Sequence, residues 1–407
     1  MERYHNGYFF DVEDELESVI TMNVGPSHPS THGTLRLKVE VDGETIRRTD
    51  PEIGFLHTGF EKIGESLSYN QFITVTDRMN YISPLNNNIG FAVAVEDMLG
   101  IEIPKRAQII RVIMAELSRI ADHILCVGLQ GMDLGAFSVF LWTFVEREKL
   151  YDIFETITGA RLTTSYTRVG GLAFDVPSDF IDRVSKVLVS IEKCIGEIEL
   201  MLTGNRIFID RCQGIGVLSK EDALSYGVTG PMLRASGVNY DIRKVRPYLS
   251  YKEFDFVVPV ETAGDGFARY LIRMEEMNQS VKIIKQALKM LPDGEINYFD
   301  KKRILANKNE VYSNMEALIH HFKVIMPGDV HGINPPVGEF YSSTEVPNGE
   351  LGFHIVSDGT SKPYRVRVRP PSLINFQCYD DVSRNHLIAD IPAILSTFNV
   401  IAGELDR

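Results

Sequence analysis

PKRAQIIRVIMAELSRIADHILCVGL, residues 104–129, decides the fold. Ile109, Ile113, Leu117, Ile120 and Ile124 recur three and four residues apart, which lays one apolar stripe along a helix. Pro104 suits a helix start, where its missing N–H costs nothing. On its N-terminal side IGFAVAVEDMLG (residues 89–100) shows the same period, and helical segments extend over 134–158, 178–203 and 263–291. Helices of roughly 20–29 residues with short connections suit an antiparallel bundle.

Outside the bundle the period changes to that of strands. SVITMNV (18–24) is rich in β-formers, and TLRLKVEVDGETIRRTD (34–50) reads as two strands joined at Asp42-Gly43. Between them GPSHPSTHG (25–33) is a run of turn formers, so His28 and His32 belong to a loop at a sheet end. The stretch 205–262 mixes Gly, Pro and Tyr with short apolar runs and reads as irregular, with a helix near 309–325 beyond it. Residues 335–371 return to strand character with turns at Asn348-Gly349 and Asp358-Gly359, and 383–398 reads as a last helix. The expected class is α+β: an N-terminal sheet region over 1–60, a helical-bundle core over 61–330 and a C-terminal strand and helix region over 331–407.

Composition excludes several function classes. The 407 residues carry 42 Lys+Arg against 55 Asp+Glu, a net charge of −13, which disfavours a nucleic-acid surface. No run of 18 apolar residues exists, so no membrane span is expected. The start MERYHNGYFFDVEDELES is acidic where a signal peptide needs a basic start and an apolar core, so the chain is expected to stay where it is made. Cys126, Cys194, Cys212 and Cys378 are scattered without a C-x-x-C pair, which predicts buried thiols and no cluster or structural zinc held by this chain.

Several fragments could carry chemistry. His28-x-x-x-His32 has metal-ligand spacing, but Pro29 and the flanking glycines put it on a loop without a local third ligand. A loop histidine acting as proton or hydrogen-bond donor is the better reading. Asp77, in Thr76-Asp77-Arg78-Met79-Asn80-Tyr81, and Asp133, in Gln130-Gly131-Met132-Asp133-Leu134-Gly135, each have an ordinary reading as helix-starting residues. Arg168 before Gly170-Gly171 and Arg234 before Gly237 place a cation where backbone can approach a ligand or partner chain. Met22, Met79, Met114 and Met132 read as packing residues.

Taken together these fragments form an ordered series: GPSHPSTHGTLRL, GFLHTGFEK, DRMNY, MDLGA, YTRVGG, LRASGVNYD, SVKIIKQAL, GELGFHIVSDG, YRVRVRPPS and GELDR. The series spans nearly the whole chain and closely resembles the D subunit of the proton-pumping NADH–quinone oxidoreductases, respiratory complex I. That family is distantly similar to the large subunit of nickel–iron hydrogenases, whose R-x-C-x-x-C and D-P-C-x-x-C segments hold the metal pair. Here Asn80, Ser83, Pro392 and Leu395 stand at the cysteine positions, so hydrogenase chemistry is excluded.

The resemblance implies a cavity reused for quinone. His32 and Tyr81 match the family's donors to the two quinone oxygens, and Asp133 matches the aspartate that partners the histidine. Arg78 would face a tetranuclear iron–sulfur cluster on a neighbouring subunit, and His28 is either a supporting or a structural residue. Each quinone oxygen gains charge on reduction and needs a donor to stabilise it and supply a proton. An ionised Asp133 would favour a protonated His32, while Tyr81 keeps its proton until the anion forms. NADH, FMN and the clusters would sit on partner peripheral-arm subunits, with no cofactor or metal held here. A membrane subunit would complete the quinone channel, at the cytoplasmic side of the inner membrane. Two departures stand out: Thr163, where many members have a histidine near the cluster, and Thr58 in HTGFEK, where many have arginine. Two other readings remain: a scaffold without catalytic residues, and the equivalent subunit of an oxidoreductase fed by a donor other than NADH.

Overall fold

The long helix runs Lys105–Asp133, four residues past the quoted stretch, and is buried along most of its length. It is enclosed by the helices Pro84–Leu99, Phe137–Thr158, Gly266–Met290 and Ile391–Phe398. Enclosure on every side explains its composition: beyond the apolar stripe, Arg111, Glu116, Arg119, Asp122 and His123 are also buried and must find partners inside the protein. Gly128 sets the spacing to the next helix, because a Cβ there would lie 2.4 Å from Thr143 Oγ1. A computed structural model describes residues 2–5, 8–11, 19–31, 33–300, 306, 308–326 and 332–407, with backbone alone for 2–5 and 8–11.

The N-terminal strands Glu2–His5, Tyr8–Asp11, Val19–Val24, Arg36–Asp42 and Thr45–Glu52 form one antiparallel sheet in chain order. The hairpin turns at Gly43-Glu44, one residue beyond the expected Asp42-Gly43, because Asp42 still pairs with Thr45, and a bulge follows Glu40. Leu37, Val39, Val41 and Ile46 point inward onto Ile391, Ile394, Leu395, Phe398 and Leu405, so the two ends of the chain share one core. A second sheet of Gly338–Val346, Gly349–Ser357 and Arg365–Arg369, with the middle strand central, packs against Pro84–Leu99.

The α+β class is borne out. Among the described residues no helix is long and apolar enough to cross a membrane. The four cysteines are buried and free. Several expectations need correction. The stretch 205–262 is not without regular structure: it contains the helices Arg206–Cys212, Lys220–Ser225, Pro231–Ala235 and Ile242–Val245, each too short to show a period. The helix near 309–325 is two pieces, because Asn314 leaves helical geometry and caps Glu316 N–H at 2.9 Å. The helix expected over 383–398 is confined to Ile391–Phe398, after the positive φ of Asn385 and a 3₁₀ turn at Ile388–Asp390. Short helices Pro371–Phe376, Tyr379–Ser383 and Ala402–Asp406 complete the C-terminal region.

Candidate functional site

Four distant segments meet around a cavity of about 100 Å³. Ser30, Thr31 and Thr34 come from the turn-rich loop, Tyr81 and Ile82 from the segment after helix Tyr69–Thr76, and Leu125, Cys126, Leu129 and Asp133 from the long helix. Residues 395–405 close it with Leu395, Asn399, Ala402 and Leu405.

The loop is held by its own hydrogen bonds. Thr31 Oγ1 donates to the carbonyls of His28 at 2.9 Å and Pro26 at 3.2 Å, and Thr34 N–H donates to Thr31 O at 3.1 Å. His28 accepts from Ser30 N–H at 3.2 Å through Nδ1, so its ring is folded back on its own turn and is not among the cavity-lining residues. Nδ1 as acceptor places the ring proton on Nε2 when the imidazole is neutral. His32 lies outside the described residues; Thr31 and Thr34, on either side of it, line the cavity.

Tyr81 sits on a segment pinned from several directions. Asn80 Oδ1 accepts from Ile82 N–H at 3.1 Å and Ser83 N–H at 3.0 Å. The Asn86-Asn87-Asn88 triplet is buried: Asn86 donates to Ser83 Oγ at 2.7 Å, Asn87 to Thr76 O at 3.2 Å and Asn88 to Thr76 Oγ1 at 2.9 Å. These bonds tie the end of one helix and the start of the next to the segment between them. Burial raises the Tyr81 phenol above its ordinary value; the Ala402 N–H opposes this, and the carboxyls of Glu404 and Asp122 add to it. The phenol therefore keeps its proton until something more basic than water is beside it.

Asp77 does not start a helix; it follows the C-terminus of Tyr69–Thr76 and turns inward to accept from Ser165 N–H at 3.0 Å and from Ser165 Oγ. Its burial pushes the carboxyl up to about 6. Asp133 is likewise corrected, since it ends the long helix instead of starting one. It is half-buried, its carboxyl has no hydrogen bond or ion pair among the described residues, and burial pushes it up to about 6. The negative end of the helix dipole acts in the same direction. Asp133 thus exchanges a proton close to neutral pH.

The Arg78 side chain points outward, exposed and without a hydrogen bond or ion pair among the described residues. Thr163 is exposed two residues from Ser165, which Asp77 holds, so Arg78 and Thr163 lie on linked surface segments. Thr58 is also exposed, on the GFLHT segment that Asp406 fastens through Gly54 N–H at 2.8 Å and Leu56 N–H at 2.6 Å. Of the arginines that stand beside glycine, Arg234 belongs to an interior network, whereas at Arg168 the backbone carbonyl is what the interior holds. Arg234 is fully buried and donates to Glu276 at 2.9 Å and Glu345 at 2.8 Å. The Arg168–Gly171 turn is gripped by Arg111, which donates to both of their carbonyls and, in a two-pronged pair at 2.7 Å, to Glu96.

Sequence reasoning passed over two carboxyls behind the cavity. Asp122 is fully buried and accepts from Asn399 Nδ2 at 2.7 Å. Glu404 is fully buried and bonded to Asn80 and Ser372. The one signal for Glu404 in the sequence was an acid flanked by Ala402 and Leu405 in the terminal motif.

The profile of a family described as the 49 kDa subunit of respiratory-chain NADH dehydrogenase matches residues 133–407. The D subunit of NADH-quinone oxidoreductase from Akkermansia muciniphila is 48% identical over 400 residues, covering 98% of this chain and 96% of its own. The chain belongs to the D-subunit family of NADH–quinone oxidoreductase, respiratory complex I. The D subunit of Geotalea uraniireducens is 47% identical over 96% of this chain and 99% of its own. A C/D subunit of Bdellovibrio bacteriovorus is 50% identical over 96% of this chain and 69% of that longer one. As a part of complex I the chain works with the other subunits of that complex. Among the described residues, no three His, Cys, Asp or Glu side chains are grouped as a metal site.

Proposed function

We propose that the cavity is where a quinone headgroup is reduced, with Tyr81 donating to one carbonyl oxygen and His32 to the other. The carrying observation is that Tyr81, Asp133 and the residues flanking His32 line one cavity although they are about fifty residues or more apart in sequence. A raised phenol suits this role, because it gives up its proton only when reduction has made the quinone oxygen strongly basic. Asp133, half-buried on the same cavity, supports the charged form of His32 when it is itself ionised.

Electrons would arrive from a tetranuclear cluster on a partner subunit, with the exposed Arg78 facing it and stabilising its reduced form. Thr163, lacking a titratable group, would leave that tuning independent of pH. Phe137, Leu141 and Val145 lie four apart and exposed on the helix that begins just after Asp133, a stripe suited to partner subunits around the cavity mouth. The Bdellovibrio relative, named as a joined C/D polypeptide, supports a neighbour of the C type. NADH and FMN would bind elsewhere in the complex, and quinone would enter from the cytoplasmic face of the inner membrane through a channel completed by a membrane subunit. Reduction would then drive proton pumping by conformational and electrostatic change. Kinship with the hydrogenase large subunit is supported by the convergence of the two segments that would carry its cysteines: Tyr81 and Ile82 line the cavity beside Leu395 and Ser396.

Tyr81→Phe in the assembled complex tests this directly. Quinone reduction is expected to fall on the order of 10²-fold while NADH oxidation by a hydrophilic acceptor persists. Equal loss of both activities with the complex intact rejects the assignment. A pure scaffold would instead change assembly and leave turnover per complex untouched.

A further inference from the structure

Most polar side chains around the cavity are engaged by the protein itself. Thr31 Oγ1 donates to the His28 and Pro26 carbonyls, and Thr34 Oγ1 to Thr31 O at 3.4 Å. Ser396 Oγ donates to Ala393 O at 3.0 Å. Asn399 directs its amide N–H groups to Asp122 at 2.7 Å and Asn348 at 2.6 Å. Ser30 differs. It lines the cavity and is only 6% exposed, yet its hydroxyl makes no hydrogen bond among the described residues. A hydroxyl offers one donor and two acceptor positions, and leaving a buried one unused is unfavourable unless something in the cavity meets it.

Backbone contacts fix the place of this hydroxyl. Ser30 is the middle residue of the 3₁₀ turn Pro29–Thr31; its N–H donates to His28 Nδ1 at 3.2 Å, and Thr31 N–H donates to His28 O at 3.1 Å. The turn rests on the helix Ile391–Phe398. At Gly25, where the loop leaves the strand Val19–Val24 with φ +88°, a Cβ would lie 2.6 Å from Thr31 Oγ1 and 2.3 Å from Leu35 O. Glycine therefore lets the loop close tightly on itself. None of these contacts uses Ser30 Oγ. The fold holds the hydroxyl at the cavity without relying on it.

Given the cavity as the quinone site, on which this rests, we propose that Ser30 binds the headgroup, its hydroxyl bonded to the quinone oxygen assigned to His32, two residues further along the loop. Before reduction both quinone oxygens are acceptors, and the serine donates. After reduction they carry O–H groups, and the serine oxygen can accept. Ser30 keeps its proton throughout and transfers nothing. Its part is to hold the ring in both redox forms, so that the two proton donors meet their oxygens.

The test is Ser30→Ala in the assembled complex, with rates read against the concentration of a short-chain quinone. Loss of one neutral hydrogen bond should raise KM about three- to tenfold and lower kcat less, because the bond is made to quinone and transition state alike. NADH oxidation by a hydrophilic acceptor and the unfolding temperature should match wild type, since no described residue depends on this hydroxyl. Thr31→Ala is the reference for a structural hydroxyl: it unties the turn and should lower the unfolding temperature. A wild-type KM in Ser30→Ala overturns the proposal and leaves the hydroxyl to water alone. Failed assembly, or an unfolding temperature lowered as in Thr31→Ala, overturns it as well by making the hydroxyl structural. Tyr81→Phe run alongside separates this claim from the one beneath it. Impaired Tyr81→Phe with unimpaired Ser30→Ala removes Ser30 alone. A raised KM in Ser30→Ala with unimpaired Tyr81→Phe keeps Ser30 and the cavity and removes Tyr81 as donor, and two unimpaired variants remove the cavity itself.

Discussion

Glu276 and Glu404 are equally buried, yet their surroundings dictate opposite charge states. Glu276 takes two N–H groups from Arg234 and faces His123 Nε2 at 2.7 Å, and this cation holds its carboxyl far below the usual range. Glu404 meets only an amide and a hydroxyl and is pushed up to about 7. The same division recurs at several other carboxyls, although Glu345, which shares Arg234 with Glu276, is raised by burial and by the Asp241 charge. Glu116 lies between Arg119 and Arg243 and is lowered, and Asp241 is lowered by Arg243. Asp133, without a cation, is raised to about 6. At these sites burial alone does not set protonation; the partner decides as well. The arginine-rich interior is a fixed electrostatic frame, whereas the wall of the cavity holds carboxyls able to exchange protons near neutral pH.

The largest break in this contrast is expected from Arg234→Met. It strips the cation from both Glu276 and Glu345, which should cost about 3–5 kcal/mol, read as a lowered unfolding temperature or failed incorporation into the complex. A stability change of the size seen at surface sites would mean that the interior charges are not organised around Arg234. Glu404→Gln probes the other region and should stabilise. The raised carboxyl of the folded chain contributes fully below its ordinary value of 4.5 and loses that contribution as pH rises through about 7. Glutamine escapes the loss, so above that pH the variant should be more stable than wild type by up to about 3 kcal/mol, the difference vanishing towards acid. A constant difference across pH would show that Glu404 is ionised throughout. Asp133→Asn should behave alike with a smaller gain of about 1 kcal/mol, since solvent screens a half-buried group. The smallest effect is expected from Arg78→Ala, within about 0.5 kcal/mol. Thermal unfolding checks it, and a large loss would reveal a partner for Arg78 inside the chain.

The bundle was legible because its apolar period is local, as were the strands around Asn348-Gly349 and, to within one residue, the hairpin that turns at Gly43-Glu44. Asp133 was misjudged because an aspartate before Leu-Gly looks like a new helix start. The helix instead runs on to Asp133 as its last residue. Arg234 read as a cation placed for a ligand or partner chain because its partners stand 42 and 111 residues away. Glu404 was silent for the same reason, bonded to Asn80 across 324 residues. Pairings of that range are written in the fold, not in any window of sequence. Tyr81 and Asp133 were singled out through an ordered set of motifs, and that they line one cavity is something no local pattern contains.

The most direct measurement is a structure of the assembled complex with a short-chain quinone bound. A quinone oxygen should lie about 3 Å from the Tyr81 phenol, with the opposite oxygen towards the loop that carries His32 and Glu404 just behind the wall. A headgroup seated outside this cavity, or a Tyr81 hydroxyl turned away from it, would contradict the account.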